Sequence, residues 1–356
     1  MKNIIFLISE LSSGGTQKTV LKLIKRFSKD NFYIDILTFE KKKKINFFNK
    51  RINYVPLGAS EKSTNIISAI FNNINRVFLI RKILKTKRNS TLLCFLPSTN
   101  IIGLIANFFL RNCVIISERN NVKKQPIGLI WSILRFIFYR FANIITCNSK
   151  ETKKYLNNFT SKKKIKYIPN YVKVKKNIKT NPQKIILSIG RMHAQKGFDI
   201  LINGFKKSNA CKSGWKLVLI GNGPDRQKLM FLVKKLNLKK YVRFINFTNP
   251  DIWFKKAGIF ALLSRYEGMP NVVLEASSYK LPILISNQTG GALDFIKNNE
   301  SGLILKNASF YEVSNNINKL IDSSILRKKI GNKAFKKINY FSDFEKIYKY
   351  WNEIIK

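Results

Sequence analysis

The chain has 356 residues, 45% of them hydrophobic, which is enough for two domains of ordinary size and too apolar for a disordered chain. Lys and Arg number 66 against 19 Asp and Glu, a formal net charge of +47, but the basic residues are spread through ordinary helical patterns among asparagine and isoleucine, so charge alone does not mark a nucleic-acid binder. One histidine, His193, and four scattered cysteines without a CxxC pair exclude a zinc centre of the usual kind; no metal site is expected, and the cysteines read as reduced core residues of a cytosolic protein.

In chain order, the apolar run at 4–8 is short, passes into Ser9-Glu10 and lacks a small-residue cleavage pattern, so it predicts a first strand and not a secretory leader. A helix follows at 17–27, then strands at 33–39 and 92–96, a helix at 101–110, a strand at 114–117, a helix at 129–141, a strand at 144–147, a helix at 151–158 and a strand at 165–168. Such alternation specifies a parallel sheet with helices on both faces. The apolar stretches at 101–110 and 129–145 are too short, or are broken by Arg135 and Arg140, to cross a bilayer. Residues 74–87 and 127–141 combine apolar and aromatic surface with bordering Arg or Lys; they read either as core helices with charged rims or as a face for an anionic membrane leaflet. No dense basic patch interleaved with exposed aromatics marks a nucleic-acid partner.

Residues 173–183 are polar and basic and contain Pro182, so they form the expected linker between a first domain at 1–172 and a second at 184–338. The alternation restarts there, with strands at 184–189, 215–220, 242–246, 259–263 and 282–285, and helices from 199, at 226–236 and at 272–279. Three helical segments close the chain at 311–321, 325–340 and 344–355, and the end of the chain, 339–356, is expected to pack back on the first domain. Two such α/β domains in tandem leave a cleft, and ligands gather at the carboxyl ends of parallel strands.

Chemistry concentrates in the second half. Ser188-Ile189-Gly190-Arg191-Met192-His193-Ala194-Gln195-Lys196-Gly197 runs from a strand end to a helix start. Gly190 permits a tight turn, while Arg191 and Lys196 supply a planar fork and a compact cation that suit a diphosphate gaining charge as its bond to a sugar breaks. The plain alternative for both is surface charge. Gly221-Asn222-Gly223-Pro224 follows the next strand as a nucleotide-facing loop or a simple structural turn. Neither loop has GxGxxG or GxxxxGK[ST] spacing. In Glu267-Gly268-Met269-Pro270-Asn271-Val272-Val273-Leu274-Glu275, one carboxylate lies in a Gly/Pro-interrupted loop and the other about one turn inside the following helix. Carboxylates suit polyols because each oxygen accepts hydrogen bonds; the alternative is a helix start and solvent contact.

Together with Gly14-Gly15 after the first strand, Gly290-Gly291 and Gly302-Leu303, these pieces resemble, in order and spacing, the retaining glycosyltransferases of family 4, the group 1 glycosyltransferases. The resemblance covers nearly the whole chain and implies the GT-B fold: two Rossmann-like α/β/α domains facing each other across a cleft, the first for the acceptor and the second for a nucleotide sugar. It implies that Gly15, Gly190, Arg191, Lys196, Gly221 and Gly223 approach or hold the donor diphosphate. It further implies that Gly268, Met269, Asn271 and Val272 help bind the nucleotide sugar, that Glu267 contacts the donor sugar near its anomeric carbon, and that Glu275 holds the ribose. Glu267, Arg191 and Lys196 are the implied catalytic group, acting by a front-face, oxocarbenium-like route without a required metal or cofactor. The donor implied is a UDP-sugar.

The chain departs from the family where many members carry a first-domain histidine: it reads Phe95-Leu96-Pro97-Ser98-Thr99-Asn100, so Ser98, Thr99 or Asn100 would contact sugar or acceptor without a base at neutral pH. His193 is expected at the edge of the phosphate loop. Ile116-Ser117-Glu118-Arg119-Asn120 resembles a segment of members that build capsule, O-antigen or lipid-linked oligosaccharide; Glu118 and Arg119 either shape the acceptor side or form an internal ion pair. The implied acceptor is a polyprenyl-diphosphate-linked saccharide and the implied place the cytoplasmic face of the membrane. Alternatives are a relative acting on a soluble sugar phosphate, a nucleotide-sugar epimerase, and, from another class, a basic nucleic-acid-binding protein that would leave Glu267 and Glu275 without a purpose.

Overall fold

The computed structural model describes residues 3–11, 14–41, 49–60, 65–174 and 178–355. Residues 1–2 and 356, and 175–177 of the expected linker, lie outside the described residues. The chain divides into two compact units, residues 1–168 with 348–356, and residues 169–347.

The first unit carries β1 (Asn3–Ile8), α1 (Gly15–Lys29), β2 (Tyr33–Thr38), β3 (Ile52–Pro56), α2 (Ile66–Thr86), β4 (Thr91–Phe95), α3 (Pro97–Ala106), β5 (Cys113–Glu118), α4 (Leu129–Phe138), β6 (Ile144–Cys147), α5 (Lys150–Leu156) and β7 (Ile165–Tyr167). All neighbours pair in parallel, in the order β3-β2-β1-β4-β5-β6-β7. Because helices cover both faces, the strands are continuous apolar runs: Ile4 to Ile8 are fully buried. Helix α3 begins four residues before the expected position because Pro97 sits in its first turn, where a missing N–H costs nothing.

The second unit carries β8 (Ile185–Ile189), α6 (Phe198–Lys207), β9 (Lys216–Ile220), α7 (Arg226–Lys235), β10 (Val242–Ile245), α8 (Pro250–Lys256), β11 (Ile259–Leu262), α9 (Asn271–Ser278), β12 (Ile283–Ser286), β13 (Leu303–Leu305), α10 (Phe310–Asp322) and α11 (Ser324–Phe341). Its parallel order is β10-β9-β8-β11-β12-β13. Helices α6 and α10 pack closely on one face; a side chain on Gly204 would collide with Val313. Val273 and Leu274 of α9 with Ala334 and Ile338 of α11 fill the other face.

In both sheets the chain first winds outward one way and then restarts on the other side of the first strand. The reversals fall between β1 and β4 and between β8 and β11. Loops leaving two adjacent strand ends in opposite directions open a crevice at that point, which is where such sheets take ligands.

The last helix, α12 (Phe344–Ile355), places its residues from Tyr348 onward with the first unit. Tyr348 donates its hydroxyl to Asp30 at 2.6 Å and packs its ring, tilted, 4.9 Å from that of Phe27, while Trp351 is wholly buried 6.0 Å from Phe95.

Candidate functional site

At the reversal point of the second unit, two loops are sewn together. The loop after β8 makes a short 3-10 turn at Ala194–Lys196 and enters α6 through Gly197, whose φ of 64° is left-handed. A Cβ at Gly197 would also strike the Leu263 carbonyl, so glycine is required twice over. The loop after β11 returns the contact. Arg265 carries it: its backbone N–H donates to Gln195 O at 2.7 Å and its guanidinium to Ala194 O at 2.6 Å. The same guanidinium grips Asp199 through two bonds of 2.9 and 2.7 Å, and Gln195 Nε2 donates to Tyr266 O at 3.0 Å.

This stitching delivers Lys196 and Glu267 to one point. Lys196 Nζ lies 2.6 Å from Glu267 Oε1, which also accepts the Ser264 hydroxyl at 2.8 Å. Glu267 is 6% exposed, and the following Gly268 carbonyl accepts from Gly291 N–H, fixing the loop from its other side. Gly190 leaves room for the lysine stem: a Cβ there would lie 3.4 Å from Lys196 Cγ and Cδ. Arg191 is exposed beside this pair in sequence, and His193 caps the 3-10 turn, its Nδ1 accepting from Gln195 N–H at 3.2 Å. That bond leaves the imidazole proton on Nε2 in the neutral ring.

The loop after β9 supports the first one from below. Met192 N–H donates to Asn222 O at 2.9 Å and Asp225 N–H to Met192 O at 3.0 Å. Gly221, at φ 142°, would drive a Cβ into Gly190 O, and one at Gly223 would meet Met192 O. Both glycines are thus explained by close backbone approach. On the far side, Asn170 donates to Met269 O at 3.1 Å and to Asn271 Oδ1 at 2.7 Å, holding the entry to α9; Val272 and Glu275 are half-buried along that helix.

The first-unit candidates lie differently. Gly15 is exposed at the start of α1 and Ser98 is half-exposed in the first turn of α3. Leu96, just before it, holds a φ of 81°, a conformation that a non-glycine residue keeps only under constraint from its surroundings. Thr99, Asn100, Glu118 and Arg119 are buried. Thr99 Oγ1 donates to Phe95 O and Leu96 O; Asn100 Nδ2 donates to Ser117 O at 3.3 Å and to Tyr139 Oη at 3.2 Å. Glu118 closes β5 instead of following it, accepts from the Tyr139 hydroxyl, and has Arg135 Nε 3.8 Å away. The internal ion pair is therefore Glu118 with Arg135, not with Arg119. Burial pushes the Glu118 pKa up, against the Arg135 charge and the Tyr139 and Asn100 hydrogen bonds that draw it down. Arg119 donates to Ile168 O at 3.3 Å and lies over the Trp351 ring at 5.2 Å; burial lowers its pKa to about 10, which keeps it a cation at neutral pH.

Sequence reasoning missed the Arg265–Asp199 clamp and Asn170. The clamp joins residues 66 apart in no periodic pattern, so only the scarcity of acids made Asp199 conspicuous. Burial would raise the Asp199 pKa, but the Arg265 hydrogen bond and charge, with backbone donors, hold it below the usual carboxylate range. Its contribution is therefore present above the unfolded-chain pKa of about 4 and lost as pH falls through the lowered folded value. Arg265→Ala is expected to raise KM for the donor about three- to tenfold with kcat little changed, because the pair is exposed and orients the loop without touching the reacting atoms. Steady-state kinetics test this; a loss confined to kcat would refute it.

Residues 172–337 match the family profile described as "Glycosyl transferases group 1". That stretch, just under half of the chain, carries a group 1 glycosyltransferase domain. The chain is 26% identical over 362 residues, covering 100% of its length and 98% of the relative, to the Campylobacter jejuni enzyme named GalNAc-alpha-(1->4)-GalNAc-alpha-(1->3)-diNAcBac-PP-undecaprenol alpha-1,4-N-acetyl-D-galactosaminyltransferase. It is 27% identical, over 94% of each chain, to the N-acetylgalactosamine-N,N'-diacetylbacillosaminyl-diphospho-undecaprenol 4-alpha-N-acetylgalactosaminyltransferase of the same organism. Among solved structures, a variant of S. aureus TarM in complex with fondaparinux, alpha-GlcNAc-glycerol and UDP superposes with a TM-score of 0.82 at 15% identity, covering 100% of both chains. That likeness establishes the GT-B fold of the chain.

Proposed function

We propose that this glycosyltransferase moves a hexose or N-acetylhexosamine, with retention of configuration, from a UDP-sugar to a saccharide carried on a polyprenyl diphosphate, in the synthesis of a bacterial capsule, O-antigen or related glycan. The observation that carries the reading is the 2.6 Å contact of Lys196 with Glu267 at the strand reversal of the second unit. One cation and one carboxylate, held by two loops hydrogen-bonded to each other, suit a leaving diphosphate and a sugar hydroxyl that sit side by side. The names of the two Campylobacter relatives support the acceptor, and UDP in the TarM complex supports the donor.

In this assignment Arg191 and Lys196 neutralise the leaving diphosphate, with Gly190 giving it backbone access. Glu267 positions the sugar and stabilises positive charge near the anomeric carbon, and the leaving phosphate accepts the proton of the attacking hydroxyl. Glu275 binds the ribose. No metal is needed for a departing group already met by two cations. The enzyme works as a peripheral protein at the inner face of the cell membrane; none of the described helices is long and apolar enough to cross one.

Hydrolysis or transfer from a panel of nucleotide sugars, with product linkage and anomeric configuration read by NMR, tests donor and stereochemistry together. Glu275→Ala is expected to raise KM for the donor by about 10- to 100-fold, the worth of charged hydrogen bonds to a diol. Glu267→Ala is expected to lower kcat by about 100-fold with weaker effect on UDP binding. Equal losses of binding and turnover in the two variants would overturn the division of roles.

A further inference from the structure

Helix α2 carries one apolar stripe at helical spacing, and only half of it has a partner. Ile80 and Leu84 are buried, and Arg81 secures this end by donating to Ala106 O and Phe108 O at the end of α3. The same stripe continues toward the start of the helix through Val77, Ile74, Ile70 and Ile66, where Ile74 is 60% and Ile70 53% exposed. Opposite, Leu129 and Ile130 of α4 are 77% and 62% exposed. Between them runs a groove of about 740 Å³, with Ile102 and Ile105 of α3 at its floor and Trp131 in its wall. Among the described residues, no charged side chain lines it.

We propose that this groove seats the isoprenoid chain of the acceptor's lipid anchor, an inference that rests on the lipid-linked acceptor proposed above. The groove is concave, so it fits a single chain better than the plane of a bilayer, which would meet protruding side chains such as Phe71 and Phe78 on the neighbouring face. Charge complements the occupant. Across residues 66–141 the only acid is Glu118, which is buried, while Lys82, Lys85, Lys123 and Arg140 are exposed. An anionic diphosphate joined to an apolar chain therefore meets, in the segment that carries the trench, exposed cations and no exposed carboxylate.

The full chain would be mixed with phosphatidylcholine and phosphatidylglycerol vesicles containing undecaprenyl monophosphate that bears a diazirine on its chain, and adducts mapped by mass spectrometry. Adducts are expected in peptides covering 66–77 and 129–134. Ala69→Trp fills the groove without removing apolar surface; it should cut labelling at least tenfold and leave vesicle co-sedimentation unchanged. Ile130→Ser, at an exposed position that cannot unfold the unit, should also reduce labelling, and melting curves confirm folding of both variants. Labelling elsewhere, or labelling insensitive to both changes, overturns the proposal. So does equal labelling of the groove by a diazirine phospholipid, which would make it a bilayer contact, or a dimer in solution that shields Trp131. Transfer is scored separately: groove labelling without transfer to any lipid-linked acceptor sinks the acceptor reading alone, and transfer to such an acceptor without groove labelling sinks the groove alone.

Discussion

Lys196→Ala is expected to lower kcat by about 10²- to 10³-fold, the usual loss when one preorganised group facing transition-state charge is removed. The cause is local. Lys196 Nζ is the cation that the fold brings to Glu267, its side chain is 19% exposed, and the glycine at position 190 confines the lysine stem. Loss of the ammonium leaves a 9% exposed carboxylate side chain with the Ser264 hydroxyl still donating to it, so some stability goes as well. Melting curves separate the two effects: the folded variant at assay temperature must still be slow. Lys196→Arg keeps the charge but replaces a compact ammonium by a planar fork in a space shaped by Gly190, and should recover only part of the rate. Turnover near the wild-type level in folded Lys196→Ala would remove the diphosphate from this loop.

Most of the fold was legible because buried parallel strands are unbroken apolar runs. Ile4 to Ile8, Leu92 to Phe95 and Ile259 to Leu262 could be read directly. What escaped notice was short, peripheral or begun by punctuation. Strand β3 lies at the sheet edge, is only partly buried and ends in Pro56, so it has neither a run nor a clean alternation. Helix α2 starts eight residues before the expected 74, because its first two turns expose the apolar residues that a core pattern would hide. Segments 74–87 and 127–141 each divide between core and surface: Ile80, Leu84 and Tyr139 are buried, while Phe78, Ile133, Phe136 and Ile137 face outward.

The site was legible where chemistry and turn coincide. Gly197, Lys196 and Glu267 each stand next to a glycine-dependent turn, and strand ends located them. Contacts made across the sheet order were not legible, because β8 and β11 are neighbours only after the chain has wound outward through β9 and β10 and returned. Arg265 and Asp199 meet for that reason alone. At Glu118 the string supplied an acid and an adjacent arginine, but a strand turns consecutive side chains to opposite faces, so Glu118 reaches Arg135 on α4 while Arg119 turns toward Trp351.

Trp351→Ala is expected to destabilise the first unit by about 3–5 kcal/mol, the range for emptying a buried aromatic site. Trp351 is fully buried, 6.0 Å from Phe95 at the end of β4, with the Arg119 guanidinium 5.2 Å over its ring. Alanine would leave Arg119 buried beside a void, without the π-face that helps stabilise its charge. Trp351→Phe separates the contributions. The indole Nε1 has no hydrogen-bond partner among the described residues, so phenylalanine gives up an unsatisfied donor and some volume while keeping a ring under the cation. It should cost about 1–2 kcal/mol, less than half of the alanine loss. Urea unfolding followed by near-ultraviolet dichroism checks both. If alanine and phenylalanine cost the same, the loss lies in the indole and not in cavity or ring; if alanine costs nothing, the closing turns of α12 do not hold the first unit together.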